Sequence, residues 1–195
     1  MRGMEIHNSQ AYLKVSDDGE NNYTIVKKNT SPGSEGGVGF ALTNVSLTNT
    51  TVHYVDMRML HDFIFKSDQL SASIHSSNDV YDIDARGKLT TEQLLIGKNN
   101  YLAGKAFDIK SHLIYDDAKK HLTIHPSDLS LKTSAFSVSG TYGWKDRNVI
   151  DLTTKGTDTD IQTLLSLLPE SKGQRLEKYR SKGNVYFNAH LKGEI

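Results

Sequence analysis

The chain has 195 residues, with 23 Lys plus Arg balanced by 23 Asp plus Glu, and no cysteine. A formal charge of zero gives no field to draw a phosphate backbone, which argues against nucleic acid as a partner, and without thiols there is no disulfide framework, thiolate metal site or Cys nucleophile. Apolar residues, Tyr included, make up 36%; that is thin for a two-sided core, and no run approaches the ~20 residues of a transmembrane helix.

One all-β domain is the expectation at this length. MRGMEIHNSQ has no apolar leader segment. Strand-like sequence begins at Ile6 and Ala11 to Val15, turns at SDDGENN and resumes at Tyr23 to Val26. NTSPGSEGGVG, residues 29–39, reads as a flexible Gly/Ser loop. Period-two segments then follow one another: ALTNVSLTN, TTVHYVD, FIFKSDQLSASIHS, VYDIDARGKLT, YLAGKAFDIKSHLIYD, HLTIHP, LSLKT and AFSVSGTYGW. Short polar turns, at Asn49, Ser77-Asn78, Asp116-Asp117 and Gly143, predict an antiparallel meander. The period breaks at DTDIQTLLSLLP, where Asp158 or Asp160 caps a short helix, Ile161, Leu164, Leu165 and Leu168 recur at helical spacing and Pro169 stops it. ESKGQRLEKYRS continues as a more polar helix or ordered loop, so that residues 158–181 form a helical cap. Alternation closes the chain in NVYFNAHLKGEI, and the whole is read as a fragment of a longer protein.

Few residues offer chemistry. His121 and His125 are the closest His pair, but four residues of strand span about 13 Å, whereas ligands of one ion lie within roughly 4 Å of each other; both are read as solvent-facing, and no metal is assigned. Asp82 and Asp84 flank Ile83 about 6.6 Å apart on one strand face, close to a glycosidase acid pair, a spacing that any Asp-x-Asp on a strand gives. No nucleophile elbow or phosphate-binding loop is present. Asn-x-Ser/Thr triplets, those at Asn29, Asn44 and Asn49 among them, are a weak signal in a chain so rich in these residues. No catalytic residue and no cofactor is assigned, and the chain is read as not an enzyme. What remains is a one-sided apolar stripe, open to two readings: the inner faces of a β-sandwich, or a strongly curved sheet whose concave face shelters acyl chains.

GENNYTIVKK followed by a Gly/Ser-rich loop and FALTNVSLTNTTVHYVD resembles the AsmA-like envelope proteins, in which a G-x-N-y turn leads through a variable loop to a strand pair ending in aromatic-x-Asp. NYLAGKAFDIKSHLIYDDAKKHLTI, LSLKTSAFSVSGTYGW, TDIQTLLSLLPES and GNVYFNAHLKGEI resemble the same family in the same order, so that the likeness runs from about residue 4 to the end. It implies a mainly β fold: a curved antiparallel sheet forming a taco-like groove, as in AsmA and TamB proteins and the eukaryotic bridge-like lipid transfer proteins, with one or two short helices near 158–181. The implied role is phospholipid transport between the inner and outer membranes of a Gram-negative envelope, in the periplasm, as part of outer-membrane biogenesis. The implied partners are phospholipid acyl chains, adjoining segments of the parent chain, and the inner membrane through a parent anchor. The family's N-terminal anchoring helix and C-terminal repeats have no counterpart here.

The strand pattern then nominates the groove lining: Leu70, Ala72 and Ile74; Ile83 and Ala85; Phe107 and Ile109; Leu113 and Tyr115; Leu122 and Ile124; Leu129 and Leu131; Phe136 and Val138. The set is conditional on register, because a slip of one residue inverts a face. Each acyl methylene withdrawn from water contributes about 0.8 kcal/mol, so no specific hydrogen bond is required. Leu131→Asp or Phe136→Asp is expected to abolish lipid binding with the fold largely intact. The rival classes are a β-sandwich adhesion or carbohydrate-binding module and, behind it, a glycan-active enzyme.

Overall fold

The computed structural model describes residues 3–23, 40–167 and 182–195. The proposed loop at 29–39 and the second helical segment at 170–181 lie outside them. In chain order the elements are β1 (Met4–His7), β2 (Gln10–Val15), β3 (Phe40–Asp56), β4 (His61–Ser77), β5 (Val80–Ile96), β6 (Asn99–Asn100), β7 (Lys105–Asp116), β8 (His121–Leu131), β9 (Ser134–Gly143), β10 (Val149–Asp160), α1 (Ile161–Leu165) and β11 (Asn184–Glu194). All the described strands belong to one sheet, in the order β1-β3-β4-β5-β7-β8-β9-β10-β11, with β2 also on β3 and β6 on β5.

From β3 onward every junction among the described strands is antiparallel, and short polar turns account for β3–β4, β4–β5, β7–β8 and β8–β9. β1 and β2 depart from the expected meander: both run parallel to β3 on its outer side, an arrangement that a short hairpin turn cannot make. Nor is there a turn at Asn49. It takes a left-handed backbone, φ 48°, yet β3 runs straight through, with the Asn49 amide donating to Asn8 Oδ1 at 2.7 Å. Pro126 likewise sits inside β8, where the register with both neighbours shifts and the ladder asks for no N–H.

Two hairpins share one turn design. Asp56 Oδ1 accepts the N–H groups of Arg58 and Met59 at 3.0 and 3.1 Å, and Asp116 Oδ1 accepts that of Lys119 at 3.0 Å. Each turn ends in a left-handed residue, Leu60 and Lys120, whose carbonyl is taken by a residue at the end of a later strand, Gly97 N–H at 2.9 Å and Trp144 N–H at 2.9 Å respectively. The Asp carboxylate thus fixes where each strand ends.

Curvature has identifiable sources. Register shifts interrupt β3–β4, β4–β5 twice, β7–β8, β8–β9 and β10–β11, and each such bulge adds bend and twist. Gly87 (φ 134°) and Gly140 (φ 138°) sit where a Cβ would collide with the backbone of Gln69 and of Asp151, so only glycine lets the neighbouring strands approach there. The accumulated roll is large. Stepping across the ladders, Tyr142 of β9 is level with Leu122, Tyr115, Tyr81 and finally Ser76 of β4, on the order of 50 Å along that strand from His61. Yet the Tyr142 hydroxyl lies 2.9 Å from His61 Nε2. The sheet is rolled diagonally, and two remote corners touch.

Candidate functional site: the inner face of the rolled sheet

The paired register places all fifteen nominated residues on one face. Leu70, Ala72 and Ile74 lie opposite Gly87, Ala85 and Ile83; Ile83 lies opposite Leu113, and Phe107 and Ile109 opposite Leu89 and Gly87. Leu113 then meets Ile124, Tyr115 meets Leu122 and Ile109 meets Leu129, after which Leu129 meets Phe136, Ser127 meets Val138 and Leu131 meets Ser134. The pattern search missed the continuation of the face into Val45, Leu47, Leu89, Ile150, Leu152 and Phe187. For β3, β10 and β11, period-two alternation carried the signal, but bulges after Leu42 and Gly156 change its phase. Along β5 the contrast is plain: Tyr81, Ile83, Ala85, Gly87 and Leu89 are half-buried, while Asp82, Asp84, Arg86 and Lys88 are exposed.

The face is unevenly covered. At one end Phe107, Leu131 and Phe136 are buried at 7%, 4% and 6% exposure, with Leu164, Leu167 and Phe187 packed on them. There α1 is the plug. Asp160 is its N-cap, its carboxylate accepting the Thr163 N–H at 2.8 Å and the Thr163 hydroxyl at 3.0 Å, which turns Leu164 toward the sheet. Gly156 makes room for the Phe187 ring, with which a Cβ would collide. Leu131 and Phe136 are therefore packed core at this end, and an Asp at either position would bury an unpaired carboxylate; the expectation that the fold tolerates these changes is withdrawn. In the middle, Ala72, Ile74, Ile83, Ala85, Leu113, Ile124 and Val138 are half-buried, and no second sheet lies on them among the described residues.

The other end is aromatic and polar. Rings stack in sequence: Tyr81 on Tyr115, Tyr115 on Trp144, Trp144 on Tyr142, with centroids 5.8, 5.5 and 5.1 Å apart. Tyr142 leans on His61 across the roll, and His61 stacks on Phe63 at 4.9 Å. Three polar atoms meet at the contact: Tyr142 O–H donates to Asn148 Oδ1 at 2.7 Å, and His61 Nε2 lies 2.9 Å from the Tyr142 oxygen and 3.2 Å from Asn148 Oδ1. All three are satisfied when Nε2 carries the proton of a neutral imidazole. His61 is 2% exposed; burial lowers its pKa, opposed by the Asn148 hydrogen bond and the Asp56 charge. Burial also raises the Tyr54, Tyr115 and Tyr142 phenols, with Tyr23 and then Asp56 adding at Tyr54, the Asp117 hydrogen bond at Tyr115 and Asp56 at Tyr142. These hydroxyls stay protonated donors, and Tyr115 donates to Asp117, which also receives Lys120 Nζ at 2.6 Å.

The outer face carries the remaining candidates. Asp82 and Asp84 stand there exposed, and His112 Nε2 lies 2.9 Å from Asp82 Oδ1. His125 is half-buried rather than solvent-facing: its ring stacks on His112 at 4.4 Å and its Nε2 is buried without a hydrogen-bond partner. Among the described residues no group of three His, Asp or Glu is placed to hold a metal ion, and no helix is long and apolar enough to cross a membrane. Comparison of the chain with protein-family models, with curated proteins and with solved structures finds no match in any of the three.

Proposed function

We propose that the inner face shelters phospholipid acyl chains and that the protein is an AsmA-like β-groove segment supporting phospholipid transport between the two membranes of a Gram-negative envelope. In this reading it works in the periplasm, without catalysis or cofactor, and a longer parent chain supplies the anchor and the adjoining groove. The observation that carries it is the half-buried apolar stripe running across β4, β5, β7, β8 and β9 with no second sheet on it among the described residues. A dozen methylenes laid along that stripe gain several kcal/mol at about 0.8 kcal/mol each, even when only partly sheltered. Headgroups remain in solvent and need no dedicated pocket. The β-sandwich alternative requires a second sheet facing the stripe, and all the described strands lie in one.

The test is native mass spectrometry with lipid extraction on protein purified from a bacterial host without detergent. Co-purifying phospholipid that disappears in an Ile83→Asp, Leu113→Asp double variant, with the melting temperature lowered only modestly, is the expected result. A clean apo mass in the parent protein, together with no uptake of a fluorescent phospholipid, overturns the groove.

A further inference from the structure

The seam between His61 and Tyr142–Asn148 differs in kind from every other lateral junction of the sheet. Neighbouring strands are joined by backbone ladders, whereas this junction is made by side chains: three polar atoms within 3.2 Å of one another and a few ring contacts. Local opening begins where the least hydrogen bonding and packing is lost, and a side-chain triad parts before a ladder does. What the seam holds down is one continuous patch of sheet. β7 starts opposite Thr91, so Glu92–Ile96 of β5 run past it, and with the His61–Lys66 part of β4 and the Thr51–Asp56 part of β3 they form a flap with β2 along its outer side. One bulge in β4–β5, at Ile64/Phe65, lies within the flap, and at its root lie a second, at Ser67/Gln69, and Gly87 with its positive φ, which are positions able to absorb a change of backbone angle.

We infer that this flap is a lid over one end of the inner face and that the His61–Tyr142–Asn148 triad is its latch. Opening it uncovers Ile150, which lies two residues beyond Asn148, faces Tyr142 in the register and is 6% exposed. That a lipid uses this opening rests on the groove reading above; the existence of the latch does not.

The chain has no cysteine, so a single introduced thiol reports one position. Ile150→Cys is labelled with a maleimide with and without the pair Tyr142→Phe and Asn148→Ala, and Leu131→Cys, beneath α1, is the control. The latch predicts labelling at 150 accelerated on the order of tenfold by loss of the triad's hydrogen bonds, with labelling at 131 unchanged. Equal rates at 150 with and without the pair overturn it, and so does equal acceleration at both positions, which would mean global loosening. Uptake of a fluorescent phospholipid from vesicles is followed in the same proteins without the introduced thiol. Faster uptake alongside faster labelling supports the lid as the lipid's entrance, and unchanged uptake with faster labelling overturns that role. No uptake by either protein, with labelling at 150 still accelerated, overturns the groove reading and leaves the latch standing.

Discussion

The two ends of the inner face are closed by opposite means. One is plugged by hydrocarbon, with Leu164, Leu167 and Phe187 on Phe107, Leu131 and Phe136; the other is fastened by hydroxyl, amide and imidazole among stacked rings. Losing apolar packing at the first end exposes a whole cluster to water and gains no hydrogen bond in return, so its cost is large. A polar seam exchanges its hydrogen bonds with water when it parts, so its net cost is small. The first end holds the fold, and the second is suited to repeated opening.

That contrast can be broken most severely at the plug. Phe136→Ala is expected to cost about 3–5 kcal/mol, read as a lower midpoint in urea unfolding, and a change below about 1 kcal/mol would remove the plug's claim to be core. Gly156→Ala attacks the same end by driving a methyl into the Phe187 ring, with an expected loss of about 1–3 kcal/mol; little loss would mean that β11 rides free of the cluster. Asp160→Ala removes the cap of α1 and is worth about 1 kcal/mol, seen as faster amide exchange in residues 161–166 with the seam unaffected.

The smallest effect is specific to the seam. The buried His61, facing the Tyr142 hydroxyl, the Asn148 amide and the Phe63 ring, with the Asp56 carboxylate of its own hairpin acting on its charge, has a pKa held below its ordinary 6.5 by burial when closed. The opened imidazole takes up a proton near 6.5 while the closed one resists it, so opening eases as pH falls through about 6.5 toward the lowered value and changes no further below that. Labelling at Ile150→Cys, divided by the rate of a free thiol at the same pH because only the thiolate reacts, should therefore be higher at pH 5.5 than at 7.5, and His61→Gln should flatten this ratio. A ratio independent of pH in Ile150→Cys with His61 intact would separate His61 from the latch.

Alternation made much of this legible from sequence. Asp82, Asp84, Arg86 and Lys88 against Tyr81, Ile83, Ala85 and Leu89 assign β5's two faces outright, and D-T-D-I-Q-T-L-L announces the capped helix. The roll was not legible. It is the sum of bulges around Asn44, Asp68, Glu92, His125 and Asp158; such polar residues are poor strand formers, but Asp82 and Asp84 sit in regular ladder, so residue type alone does not place the bulges, and the meeting of His61 with Asn148 follows from accumulated bend. The burial of Leu131 and Phe136 was hidden for a related reason. Period two says which face a side chain takes, not whether a later helix lies down on it.

Trp144 is the chain's one tryptophan, and the fold sets it between Tyr115 and Tyr142, stacked on both at interplanar angles of 9° and 27°. The molecule thus carries its own optical probe at the seam. Excited tyrosines at contact distance pass their energy to the indole, and emission colour follows the wetness of its surroundings. A stopped-flow trace of intrinsic fluorescence would time the parting of the two corners in unlabelled protein, vesicle by vesicle addition, with no chromophore introduced.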